Sequence, residues 1–280
     1  MYLFLIIVIG VIVVGTLLLK NKSQKLTFKY FAILTLLGAL AVGVSFVLGT
    51  YVSTWLTWTF AGYYYVEDGV IIWNNIIAEV LYYFINCFLV VAVIEEYSKS
   101  LIIKKFDGVE VSLKTTLDCI TQFVIVGVVF AILEDIMYIV RYDAGLTRLL
   151  ITLSGHFMYA LVFGYYYSKS KIYKEFTNIG VKLNARGYQL KRAISGNKAR
   201  AYMAKATLIP ILLHGTHNFI AYVLPDIAVI FIIIETILFL RYFIKAIRNN
   251  YSIHDKAIEL FISKYPKVTK EEIEEILINS

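Results

Sequence analysis

The run IIAEVLYYFINCFLVVAVIEEYSKSLII occupies residues 76–103 and decides the fold class. A helix of about 20 mostly apolar residues crosses a membrane, because it rises about 1.5 Å per residue and the hydrocarbon layer is about 30 Å thick. The run exceeds that length, so it predicts a membrane-spanning helix. Its inner half nevertheless contains Glu95, Glu96 and Lys99, which a plain membrane anchor would not need.

Six other blocks of the chain have the same apolar character. Hydrophobic residues make up 59% of the sequence and charged residues 17%, against roughly 25% charged residues in soluble domains. The blocks lack the strict alternation of outer-membrane β-strands. We therefore predict an all-α fold, a polytopic membrane helix bundle of about seven transmembrane helices that passes several times through the cell membrane. The six blocks run roughly Tyr2–Leu19, Tyr30–Val52, Cys119–Val140, Leu149–Tyr167, Ala204–Leu224 and Ile227–Ile244.

Lysine and arginine are distributed unevenly among the predicted loops. Loop 53–75 contains neither residue, whereas the segments 20–29, 169–205 and 241–280 are rich in them. Because cytoplasmic loops carry the excess of these residues, the pattern predicts an outer N-terminus and an inner C-terminus. The formal net charge of +7 is then explained by topology, and we expect the lipid bilayer but no nucleic acid as a partner.

The chain divides into a membrane part and a polar tail. Residues 1–247 are predicted to form the membrane domain, and residues 248–280 a cytoplasmic helical tail. No basic residue precedes the first apolar block and no small-residue cleavage site follows it, so we expect this block to remain as an anchor. In the tail, Thr269 and Glu272 have the spacing of a capping box at the start of the last helix.

Polar side chains at membrane depth are the most informative feature of the sequence. An acidic side chain at the centre of a span costs about 2.5–3.5 kcal/mol even on the mildest scale. Several such groups are tolerated together if they line a shared polar interior, so we predict that they meet there. The groups are Glu95, Glu96, Lys99, Glu134, Asp135, His156, His214, His217 and Asn218.

Helical spacing indicates which of these groups share a face. His214 and Asn218 are four residues apart, and Pro210 one turn earlier predicts a kink in their helix. His156, Ala160 and Gly164 follow each other at intervals of four, and small residues at that spacing allow neighbouring helices to approach closely.

Buried carboxylates and histidines are groups that could catalyse hydrolysis, because a carboxylate in a low-dielectric cavity can serve as a base. Hydrolysis of a peptide bond inside a membrane would require an activated water molecule, a donor for the oxyanion and an acid for the leaving amine. We predict that Glu95 activates the water and that Glu134 positions it or returns the proton. His214 and Asn218 are predicted to face the oxyanion, and His156 to orient a carboxylate or protonate the leaving group.

The remaining polar and aromatic residues are given one catalytic role and several supporting roles. Glu96 is a further catalytic candidate. Lys99 and Phe130 are interpreted as substrate or structural support. His217 is interpreted as structural. Glu79 and Glu235 are interpreted as packing or lipid-edge groups.

Two alternatives to a metal-independent glutamate protease remain open. A zinc-dependent protease would use His156, His214 and Glu134 as ligands, since zinc enzymes use three protein ligands and an open position. The metal-independent mechanism is favoured because no H-E-x-x-H motif is present. A proton-coupled transporter would also contain buried acids and histidines, but the chain has no paired halves.

Four short motifs occur in order, each on its own predicted span. Residues 95–99 match E-E-x-x-K, residues 130–134 match F-x-x-x-E, His156 begins a third motif and residues 214–218 match H-x-x-x-N. Together they resemble the PrsW family of intramembrane proteases, with a motif core at about 85–220.

The resemblance carries expectations about the substrate. It implies cleavage of a single-span membrane protein, such as an anti-sigma factor, at or near the outer side of the membrane. The related CAAX prenyl endopeptidases have histidine where this chain has Glu134, which favours the PrsW branch.

Overall fold

The computed structural model describes residues 15, 28–107, 113–142, 146–188, 190 and 196–278. These residues are almost entirely helical, which confirms the all-α class. The predicted first span, Tyr2–Leu19, falls outside the described residues apart from Gly15, as do the lysines at 20, 22 and 25.

The described elements form one continuous series along the chain. In order they are α1 (Phe28–Thr59), a 3-10 turn (Ala61–Tyr63), β1 (Tyr64–Glu67), β2 (Val70–Trp73), α2 (Ile76–Phe84), a π-helix (Ile85–Ala92), α3 (Val93–Phe106), α4 (Thr116–Tyr142), α5 (Leu146–Ala185), α6 (Asn197–Val223), α7 (Pro225–Arg248), α8 (Ile253–Lys264) and α9 (Lys270–Ile278).

Four of the described helical segments are long and apolar enough to cross a membrane. They are α1, the continuous rod formed by α2, the π-helix and α3, then α4 and α7. The predicted fifth and sixth spans lie on α5 and α6. The chain is therefore a helical membrane protein, while the count of seven spans stays a prediction.

Helix α5 is the centre of the bundle, because it packs against α4, α6, α7 and the tail helices. Small residues let α4 and α5 approach closely. A Cβ atom added to Gly127 would lie 2.7 Å from the Cβ of Ala160, and one added to Gly164 would lie 2.6 Å from the Cα of Ile120. The close approach predicted from the spacing of His156, Ala160 and Gly164 is confirmed.

We expect Gly164→Ala to destabilise the folded bundle by about 1–3 kcal/mol, since the new methyl group would overlap the backbone of α4. The measurement is the midpoint of thermal unfolding in detergent. Gly43→Ala is the matched control, because nothing lies within 4 Å of a Cβ atom at that helical position. Equal midpoints for the two variants would contradict the prediction.

The loop between α1 and α2 contains a feature that the helical prediction missed. Strands β1 and β2 pair antiparallel, with Tyr64 opposite Trp73 and Glu67 opposite Val70. Asp68 and Gly69 both have positive φ, as a two-residue Asp-Gly hairpin turn requires. Aromatic residues of this loop thus fold partly into a β-hairpin.

The helices of the predicted tail pack against α5. The rings of Phe176 in α5 and Phe261 in α8 lie 5.1 Å apart. The predicted capping box is confirmed, since the Thr269 amide donates to Glu272 Oε2 at 2.7 Å and the Glu272 amide donates to Thr269 Oγ1 at 3.2 Å. The Thr269 amide and the Tyr188 hydroxyl, which also donates to Glu272, lower the pKa of this carboxyl group.

The predicted orientation can be tested by thiol labelling of intact cells. Cysteine at the exposed position Glu259 in α8 should stay unlabelled by a membrane-impermeant maleimide, because the tail is predicted to be cytoplasmic. Cysteine at Glu67 in the hairpin is the control and should be labelled. The native Cys87 and Cys119 are buried and should add little background. Labelling at Glu259 in sealed cells would refute the orientation.

Candidate active site

Four helical elements bring the predicted polar residues together. The α2–π–α3 rod contributes Glu95 and Glu96 in the first turn of α3, directly after the π-helix. Helices α4, α5 and α6 contribute Glu134, His156 and His214. Wide π-helical turns are rare and frequently occur at functional sites. The polar groups that were predicted to share an interior thus meet in one cluster.

Lys99 connects two of the candidate catalytic residues. Its Nζ donates to Glu96 Oε1 at 2.6 Å and to His156 Nδ1 at 2.9 Å, and it lies 4.2 Å from the centre of the Phe130 ring. An ammonium group has no acceptor, so His156 Nδ1 must accept and carries no proton. The neutral ring then holds its proton on Nε2, which donates to Glu134 Oε2 at 2.7 Å.

His214 is oriented by a carboxylate and by an aromatic ring. Its Nδ1 donates to Glu96 Oε1 at 3.0 Å, and its imidazole stacks on Tyr159 with the ring centres 5.0 Å apart. When Nδ1 carries the proton, Nε2 of the neutral ring has a free lone pair. The His156 and His214 rings are nearly perpendicular, with centres 5.1 Å apart.

One group of described side chains fits a metal ion. A carboxylate oxygen of Glu95 and one ring nitrogen each of His156 and His214 all lie within 4.8 Å of one another. Ligands around a tetrahedral zinc ion with bonds of about 2.0–2.2 Å lie about 3.4 Å apart, so shifts of about 1 Å would complete the set. The carboxylate in this group is Glu95, whereas the sequence suggested Glu134.

The charge around this group also suits a divalent cation. Three carboxyl groups contact the histidines of the cluster, those of Glu95, Glu96 and Glu134, and Glu96 also contacts the Lys99 amino group. With all four ionised and the histidines neutral, their formal charge is −2. Both histidines, Glu96 and Lys99 are almost completely buried, and a buried net charge of this size requires compensation. A zinc ion would supply it.

A cavity of about 530 Å³ opens beside the cluster. His156, His214, Glu134 and Asn218 line it, so the predicted oxyanion pair of His214 and Asn218 faces one space. Phe130 is buried, with its ring centre 5.2 Å from that of His156. Its role as substrate or structural support stays a prediction.

Glu235, interpreted from the sequence as a packing or lipid-edge group, is buried, and Tyr159 joins it although the sequence did not indicate that residue. Glu235 accepts hydrogen bonds from His217 Nδ1 at 2.6 Å and from the Tyr159 hydroxyl at 3.3 Å. His217 also lines the cavity beside His214. Helical spacing gave no indication of this contact, because its three members lie on three different helices.

Comparison with known proteins identifies a family and a relative. Residues 27–244 match the family described as PrsW family intramembrane metalloprotease. A curated relative, Protease PrsW of Clostridioides difficile (strain 630), is 32% identical over 157 residues, which are 54% of this chain and 58% of the relative. No solved structure matches the chain. Since the family match covers most of the sequence and contains the whole buried cluster, the chain belongs to the PrsW family of intramembrane proteases.

Proposed function

We propose that this protein is an intramembrane endopeptidase of the cell membrane that hydrolyses a peptide bond of single-span membrane proteins. The observation that carries the proposal is the buried cluster of Glu95, His156 and His214 beside a cavity that also contains Glu134 and Asn218. Following the family resemblance, we propose anti-sigma-factor-like proteins as the substrate class.

We further propose that the enzyme is a zinc protease, in place of the metal-independent mechanism that the sequence favoured. Glu95, His156 and His214 would hold the ion, and two histidines with one carboxylate are a known catalytic zinc set. The excess of negative charge in the cluster and the family description support this choice. When bound, zinc supplies a Lewis acid that polarises the substrate carbonyl and makes a water molecule more acidic.

Two residues of the cluster would prepare the ligands for this role. Glu96 holds Nδ1 of His214, which leaves Nε2 facing the site, and such outer contacts fix the orientation of metal-binding histidines. When Nε2 of His156 binds the ion, it would release its proton to the cavity, and Lys99 would pass one proton to Nδ1 and stay hydrogen-bonded to it as a neutral amine. Lys99 and Glu96 would therefore act as positioning residues.

Glu134 is then the best-placed general base. Its Oε2 lies 2.7 Å from Nε2 of His156, next to the proposed ligand set, and it lines the cavity that a peptide would enter. We propose that Glu134 takes a proton from the attacking water and delivers it to the leaving nitrogen. This exchanges the roles that the sequence suggested for Glu95 and Glu134. Asn218 is placed to donate to the developing oxyanion.

The test uses purified protein in liposomes and a quenched fluorescent peptide. The peptide has a span of about 20 leucine and alanine residues, with Gly-Ser-Gly in its outer third. We expect cleavage within the span and a single pair of products by mass spectrometry. Proton flux through the same liposomes without any cleavage would overturn the proposal in favour of transport.

A further inference from the structure

A second cavity, of about 370 Å³, lies along helix α1 and reaches the candidate active site. Ser53 and Tyr138 line both this cavity and the larger one. Glu95 lines the second cavity, whereas His156 and His214 line the first. The proposed ligand Glu95 therefore stands where the two spaces meet.

Five hydroxyl-bearing residues of α1 line this cavity and are called the hydroxyl row: Ser45, Thr50, Ser53, Thr54 and Thr57. From Ser45 to Thr54 the helix rises about 14 Å, which equals the length of about four residues of extended chain. Hydroxyl groups are not required for an apolar helix to cross a membrane. The length of the row suits a short extended segment of polypeptide.

The hydrogen bonds of these hydroxyl groups determine what the row can bind. Thr54 Oγ1 donates to the Thr50 carbonyl at 2.7 Å, and Ser53 Oγ donates to Asn86 Oδ1 at 3.0 Å. A hydroxyl group that has donated its proton keeps lone pairs that can accept. The row therefore offers acceptors, which suit the N–H groups of a peptide backbone.

Ser45 gives an independent indication of a ligand. Its side chain is buried at 7% exposure, it lines the cavity, and its Oγ has no hydrogen-bond partner within the part of the chain that the structure describes. A buried hydroxyl group without a partner costs about 1–3 kcal/mol. A bound backbone group would satisfy it.

We propose that the hydroxyl row of α1 binds the unwound segment of the substrate span next to the scissile bond. This inference rests on the proposed function and adds the location of the substrate. A peptide bond in an intact helix is shielded, so the substrate must unwind locally before attack. Each backbone group exposed in this way costs several kcal/mol in a bilayer unless it finds a partner. The α1 row supplies those partners for the substrate N–H groups.

Crosslinking tests the location. The photoreactive residue p-benzoylphenylalanine is placed at Thr50 in the row, or at Leu48 on the opposite, exposed face of α1 at nearly the same depth. The probe is the biotin-tagged Gly-Ser-Gly span peptide, offered to Glu134→Gln protein in liposomes. We expect at least about fivefold more capture at Thr50. Equal capture, or more at Leu48, would overturn the proposal.

Kinetics test the chemistry. We expect Thr54→Val and Ser45→Ala each to raise KM by about three- to tenfold, the effect of one hydrogen bond, with little change in kcat. Thr59→Val is the matched control, because Thr59 also donates to a carbonyl of its own helix but lies outside the cavity. A peptide N-methylated across the Gly-Ser-Gly segment lacks the donors, so the variants should then match the wild-type protein.

The results separate this proposal from the proposed function. Normal cleavage with equal KM values for Thr54→Val and Thr59→Val would refute the row and leave proteolysis intact. Capture at Thr50 without cleavage of any peptide would support the row and refute proteolysis.

Discussion

Replacing Glu134 with glutamine is expected to lower kcat/KM for the span peptide by about 10²–10⁴-fold, the usual contribution of a general base. Glutamine keeps the shape of the side chain but cannot take a proton. The zinc content of the purified protein should stay unchanged. Glu95→Gln is expected to lower activity at least as much and to reduce the zinc content as well, because Glu95 is the proposed ligand.

The matched control for both variants is Glu79→Gln, which changes an acid in the same helical rod that does not line the cavity. It should retain normal activity and zinc. A Glu134→Gln variant that cleaves at the wild-type rate would remove Glu134 from the role of base. Full zinc content in Glu95→Gln together with zinc loss in Glu134→Gln would restore the ligand set suggested by the sequence.

Removing zinc by chelation is expected to reduce cleavage to background, and adding about one equivalent of zinc should restore it. The physical reason is that the metal provides the acidified water and polarises the carbonyl. Metal content is measured by elemental mass spectrometry and cleavage by the fluorescent peptide. The helical bundle should survive chelation, because the bonds of Lys99 to Glu96 and His156 do not involve the metal.

A histidine pair provides the control for metal binding. His214→Ala should abolish stoichiometric zinc, whereas His254→Ala should not, since His254 lies on the exposed surface of α8. Undiminished cleavage by fully zinc-free protein would return the mechanism to a glutamate protease without metal. Zinc loss in the His254 variant alone would show that the purified protein binds the metal at its surface.

Much of the cluster followed from the sequence because the bilayer makes isolated charges unfavourable. Glu95, Glu134, His156 and His214 had to share a polar interior, and the structure brings them together. The capping box of Thr269 was predictable for a different reason, since its hydrogen bonds join neighbours in the chain and depend little on tertiary packing.

The partners within the cluster were less predictable. Lys99 lies four residues from Glu95 and three from Glu96, and both separations allow contact along a helix. The choice of Glu96 depends on where His156 and Phe130 approach from other helices. The bond between Glu235 and His217 likewise depends on how α7 packs, which local spacing does not report.

The hairpin was missed although its turn was visible in the sequence. Asp68 and Gly69 form a typical two-residue turn, and both flanking segments are rich in aromatic and β-branched residues. Aromatic residues are also common at membrane interfaces, so their presence alone does not indicate strands. In the structure, Trp73 packs against Tyr64 and Tyr82, so the same rings also form a small aromatic cluster.

The π-helix has a consequence for which mutations the protein can accept. A turn closed by i→i+5 bonds contains one more residue than an α-helical turn, so it rotates the rest of the rod by about 100°. Individual apolar residues in Ile85–Ala92 can be exchanged without changing that angle. An insertion or deletion changes it, and would turn the adjacent glutamates away from the histidines. The length of this segment is thus under tighter constraint than its composition.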